Sequence, residues 1–271
     1  MADFHTRAYA ALMERDPDAK CAAVRALRAD WDAGRIVGAI GEPGPVEAVP
    51  VPGRPARPQL VSPRAVERRR GSSAAGRAAL IHALAHIEFN AVNLALDAVY
   101  RFRGLPREYY GDWLRVAAEE AQHFALLRDH LRGQGYDYGS FTAHDGLWEM
   151  AVKTAHDPLV RMALVPRILE ARGLDASPAL IAKLTGWGDA RAAEIMRIIQ
   201  RDEVEHVRIG NRWYLWLCHR AGLDPVATFR RLYREYNAPR LRPPFAVAAR
   251  RAAGFTEADL ALLEELAAAQ G

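Results

Sequence analysis

The sequence predicts an all-α fold organised around a four-helix bundle, and three observations carry that expectation. Ala, Leu, Arg and Glu dominate a chain of 271 residues that is 50% hydrophobic, a composition that favours helices. Apolar residues recur at helical spacing through several long segments, while alternating runs of the kind that make strands are few. Finally, Glu-x-x-His occurs twice inside such segments, as Glu120-x-x-His123 and Glu203-x-x-His206. A lone Glu precedes each on another apolar helix, with 32 positions from Glu88 to Glu120 and 33 from Glu170 to Glu203.

Three residues is close to one helical turn, so the carboxylate and the imidazole of each pair share a face. An exposed pair of this kind is a weak local contact of about 0.2–0.5 kcal/mol. Two such pairs on apolar faces, each accompanied by a helix-borne Glu, form the ligand pattern of a carboxylate-bridged two-metal site: two helices giving Glu and two giving Glu-x-x-His. Glu88 lies close to the apolar stripe of its helix, where an unpaired carboxylate would be costly and needs a cation.

Composition narrows the alternatives. The formal charge of +4 comes from 37 basic and 33 acidic residues, a mild excess that does not by itself argue for nucleic acid. The two cysteines, Cys21 and Cys218, form neither a CxxC nor a disulfide framework, which fits a reducing compartment. The N-terminus has no apolar signal core and no uninterrupted run of about 18 apolar residues occurs, so a cytoplasmic protein that does not span a membrane is expected.

In chain order, residues 3–15 and 17–33 read as short amphipathic helices, with Asp16 capping and Pro17 at the first helical position. Residues 38–63 hold eleven Gly and Pro residues, which rule out a regular helix. Val46, Val49, Val51, Leu60 and Val61 favour an extended strap over a free linker. Arg64–Arg70 reads as the solvated start of the next helix. Helix A is expected over 73–102 with Glu88, and helix B over 107–132, ending at Gly133, with Glu120 and His123. His82 and His86 point elsewhere on helix A and read as structural or outer-shell residues, while His130, two turns beyond His123 on the same face of helix B, reads as outer-shell or capping. Asp112, Glu119, Asp202 and Glu205 read as solvated acids or outer partners, and Tyr109, Tyr110, Tyr136 and Tyr138 as packing. A loop-rich crossover with a short helix at 145–155 leads to helix C, expected from Asp157-Pro158 to about 172 and closing at Gly173. Glu170 falls in its last turn, with Pro166 kinking the chain one turn earlier. Ser177-Pro178 is read as the start of a separate short helix. Asp189 caps helix D, 190–220, with Glu203, His206 and Gly210 along one side. A helix near 224–236, an irregular piece at 237–244 and a last helix begun by a Thr256/Asp259 capping box complete the chain. The expected division is 1–72 for N-terminal helices and strap, 73–220 for the bundle and 221–271 for a C-terminal extension.

The segments His86-Ile-Glu88, Glu120-Ala-Gln-His123, Leu169-Glu170-Ala-Arg-Gly-Leu-Asp175 and Asp202-Glu203-Val-Glu-His206 resemble a bacterial family of ferritin-like proteins known only as domain of unknown function 455. More distantly they resemble the di-iron hydroxylases that modify tRNA. The resemblance runs from about residue 52 to 220. It implies a ferritin-like bundle with a long crossover and the same six ligands, Glu88, Glu120, His123, Glu170, Glu203 and His206. It implies no substrate.

Four carboxylates and two imidazoles make an oxygen-rich shell that suits iron, with manganese as the alternative. The first functional reading is an oxidoreductase that activates dioxygen or peroxide on a small-molecule substrate, served by an electron donor. A non-catalytic protein that oxidises, stores or carries iron is the second. A tRNA hydroxylase, motivated by the basic stretches Arg64–Arg70 and Arg240–Arg251, is the third. A homodimer is compatible with the sequence.

Overall fold

The computed structural model describes residues 3–36, 40–42, 44–67, 71 and 73–269. Among them the chain is helical, with no strand beyond an isolated bridge between Leu60 and Ala143, so the all-α expectation holds. The chain divides into two compact units, Met1–Val152 and Lys153–Gly271.

In the first unit, α1 (Phe4–Met13) is capped by Asp3, whose side chain accepts from the amides of His5 and Thr6. Asp16 caps α2 (Pro17–Asp32) by accepting from the Ala19 amide at 2.8 Å. Such caps satisfy amides that have no partner within the helix. The core is an antiparallel pair, α3 (Ala74–Arg101) and α4 (Arg107–Gly133), joined by the five residues 102–106. α1 packs on α3, and α2 on α4. α3 is long and apolar enough to cross a membrane, but 72% of its most apolar window is buried within the protein, where other residues already cover it.

The Pro-rich segment is a strap in this unit. The Gly53 amide donates to the Leu12 carbonyl at 3.0 Å, and a Cβ at Gly53 would stand 2.2 Å from the Met13 backbone, so only glycine lets the strap approach α1 this closely. Further along, Trp148 of α5 (Gly146–Lys153) donates to the Pro50 carbonyl at 3.1 Å, and Arg54 meets Asp145 at 2.9 Å. Lys20, fully buried, donates to the Leu12 carbonyl and to Asn93. Arg68–Arg70 lie outside the described residues.

The second unit corrects the reading of helix C. The chain does not close at Gly173 and restart at Ser177. Instead α6 (Pro158–Leu164), a π-helical turn (Val165–Glu170) and α7 (Ala171–Gly186) form one helical rod that runs through both Gly173 and Pro178. Tertiary packing overrides these local breakers, and the Ser177 hydroxyl caps the Gly173 carbonyl at 2.7 Å. The rod turns at residues 187–189 into α8 (Ala190–Arg220), capped by Asp189. α9 (Pro225–Glu235) packs on α6 and α8, α10 (Val247–Ala252) on α7 and α8, and α11 (Glu257–Ala268) on α9. The Thr256/Asp259 capping box is present, with Asp at the third helical position doing what Glu or Gln usually does.

Candidate metal centre

In the first unit, hairpin register brings Glu88 level with Glu120: Glu88 lies 13 residues before the end of α3 and Glu120 lies 13 after the start of α4. One turn on, His123 faces the same way. All three are buried, with Glu88 5% exposed and Glu120 and His123 1% each. Nδ1 of His123 lies 3.3 Å from Oε2 of Glu120 and 3.4 Å from Oε2 of Glu88, and one ligand atom from each residue falls within 4.8 Å of the others. An ion holding two ligands at about 2.1 Å sets them about 3.0 Å apart in octahedral and about 3.4 Å apart in tetrahedral coordination. The triad therefore needs little movement to close on a cation.

The electrostatics agree. Burial, and then the Glu120 carboxylate, push the Glu88 carboxyl well above the usual carboxylate range, opposed by His123. Oε2 of Glu88 finds no hydrogen-bond partner among the described residues. A buried carboxylate oxygen in that position is normally satisfied, and a cation would satisfy it while relieving the repulsion between the two carboxylates. The donor set and this unsatisfied oxygen both fit a hard divalent ion.

In the second unit, α8 presents Glu203, 8% exposed, and His206, fully buried, with His206 Nδ1 3.4 Å from Glu203 Oε1. The geometry repeats that of Glu120 and His123. Glu170 stands half-buried at the end of the π-turn. Pro166 seats on Gly210, whose added Cβ would fall 2.1 Å from the Pro166 Cβ. The rod and α8 are antiparallel across a short connection, and each of these two residues lies 20 positions from its end of that connection. Glu170 and His206 are 16 positions from the same ends, which puts them in one layer of the hairpin.

The histidines left open by the sequence have assigned places. His86 places Nδ1 2.8 Å from the Tyr138 hydroxyl and Nε2 3.0 Å from the His144 carbonyl. The His144 carbonyl only accepts, whereas the Asn90 amide nitrogen, 3.1 Å from the same Nε2, donates, so the two contacts call for opposite tautomers. His82 Nε2 accepts from the Gly139 amide at 3.0 Å, and His130 Nε2 lies 2.9 Å from the Gln134 amide nitrogen. Of the solvated acids, Glu119 pairs with Arg115, Asp202 with Arg201 and Glu205 with Arg208.

Sequence reasoning missed the buried cation beside Glu170. Arg167 of the π-turn is fully buried and pairs with Asp259 at 2.6 Å, a partner 92 positions away. No local spacing announces such a pair.

The family model for a protein of unknown function, DUF455, matches residues 13–261. The chain is 48% identical over 219 residues to an uncharacterized protein of Haemophilus influenzae, covering 78% of this chain and 76% of that one. No solved structure matches.

Proposed function

The chain belongs to the DUF455 family of proteins of unknown function, and we propose that it is a ferritin-like dinuclear metal protein acting as an oxidoreductase. In this reading Glu88, Glu120 and His123 would hold one ion, and Glu170, Glu203 and His206 would hold a second. The observation that carries it is the buried triad with its unsatisfied Glu88 oxygen, supported by the repeat of the same carboxylate–imidazole spacing in the second unit.

Four glutamates balance the charge of two divalent ions, so the pair can be buried nearly neutral. Iron suits this shell first and manganese second. When bound, such ions supply redox chemistry toward dioxygen or peroxide, with an unidentified small molecule as the substrate and an electron donor as a further partner. The protein's own share is to bind, orient and keep water out. The rings of Phe89 and Phe124, 5.2 Å apart, are chain neighbours of Glu88 and His123 and are themselves buried. Before metal enters, the Glu88 carboxyl holds a proton, which a cation displaces. The unpaired, buried thiols of Cys21 and Cys218 fit a cytoplasmic location.

The basic stretches offer an RNA substrate little support. Arg250 is buried against Asp175 and Arg251 pairs with Glu257, which leaves less charge for a phosphate backbone. Anaerobic ferrous loading followed by air tests the proposal. Dioxygen uptake by the iron-loaded chain, lost in Glu120→Ala/His123→Ala, supports it. Absent uptake refutes the redox reading, and accumulation of many irons per chain favours storage instead.

A further inference from the structure

We propose that Arg167 and Asp259 are positioning residues: their buried ion pair ties α11 to the π-turn and so sets Glu170 within reach of a cation held by Glu203 and His206. This rests on the dinuclear reading and concerns the second unit alone.

The π-turn begins where proline makes an ordinary α-helical turn unfavourable. Pro166 has no amide to donate, and its ring crowds the carbonyl four residues back. The Ala171 amide then donates to the Pro166 carbonyl, five residues earlier. Turns of this kind recur at functional sites because they redirect side chains within a continuous helix. Left alone, such a widened turn has neighbouring registers close in energy, so something must select one.

Two contacts on consecutive residues make that selection. Pro166 seats on the bare backbone of Gly210, one turn beyond His206. Arg167 enters a cage of three rings, its guanidinium carbon 4.6 Å from the Tyr214 centroid and 4.8 Å from those of Phe229 and Phe255. There it donates to Asp259 at 2.6 Å and to Asn211 at 2.8 Å. Asn211 is held in turn by the Ala253 carbonyl at 2.6 Å, and Asp259 by the capping box of α11. Slipping the turn by one residue would drag a buried cation away from Asp259 and Asn211, so the register is fixed. A buried ion pair gives little net stability compared with an apolar filling, but separating its partners leaves an uncompensated buried charge, which is strongly unfavourable. Glu170, three residues beyond Arg167, takes its direction from that choice.

The test uses the full chain with ferrous ion alone, loaded without oxygen, and reads iron per chain together with helix content and the thermal midpoint. Arg167→Met keeps the cage filled, and Asp259→Asn keeps the shape of the acid. Asp97→Asn, which breaks the buried Asp97–Arg101 pair on α3, controls for destabilisation alone. The expected result is two irons in the wild type and in Asp97→Asn, but one in each clamp variant, with helix content retained. Two irons in the clamp variants overturn the positioning role and leave the dinuclear reading standing. Fewer than two in the wild type removes that reading and the proposal with it. Unfolding of both clamp variants shows that the pair holds the fold, and likewise overturns the proposal.

Discussion

Acidification should destabilise the first unit through two histidines that are buried neutral. His5 receives the Gly41 amide on Nε2 at 3.0 Å and donates from Nδ1 to the Val99 carbonyl at 3.0 Å. A second proton on Nε2 would oppose the amide, and burial, then Arg103, lower the His5 pKa to about 4. His82 accepts the Gly139 amide in the same way, and burial, then His86, lower it to about 4. Between the ordinary value near 6.5 and 4 the unfolded chain binds more protons than the folded one. Stability is therefore fully present above about pH 6.5 and is lost as pH falls toward 4. At pH 5 each histidine accounts for about 2 kcal/mol of that loss, so the pair accounts for about 4 kcal/mol. Urea unfolding at pH 8 and pH 5 measures it against His5→Gln/His82→Gln, because all other titrations are common to both proteins. The wild type should lose about 4 kcal/mol more than the variant. Parallel pH profiles would refute the assignment of these rings as neutral acceptors.

Gly210→Ala should lower stability by about 1–3 kcal/mol despite the better helix propensity of Ala, because the new methyl meets the rigid Pro166 ring. A thermal midpoint at or above that of the wild type would show that the rod does not press on α8 there. Glu88→Gln should raise the midpoint of the metal-free protein at neutral pH by removing the cost of burying, and so protonating, that carboxyl beside Glu120, while weakening metal binding. A lower metal-free midpoint would mean the carboxylate is satisfied without a cation. Ferrous ion at one hundred times its dissociation constant should add about 2.7 kcal/mol of stability, reversed by a chelator. No shift on loading would count against a site formed only in the folded chain.

Much of the fold was legible because its signals are local. Asp16, Ser73, Asp157, Asp189 and Thr256 each sit at the N-cap position and cap a helix through the side chain. Glu120-x-x-His123 and Glu203-x-x-His206 were legible for the same reason, since one helical turn fixes the relation between their side chains. Gly173 and Pro178 misled because their cost is real but small beside the packing of a rod against α8. The placement of Glu170 was only half visible. Pro166 announces a disturbed turn, but its direction is set by Gly210 and by Arg167 with Asp259, partners 44 and 92 positions away from Pro166 and Arg167 respectively. Lys20 was illegible outright: nothing near it in the chain says that its amine ends buried on Asn93, 73 positions on.

The most direct measurement is the metal content of the chain after anaerobic ferrous loading and removal of free ion, compared with His123→Ala and His206→Ala. The account predicts two irons per wild-type chain and one in each variant, since each histidine serves a different ion. Iron-free wild-type protein, or variants that bind as much as the wild type, would contradict it.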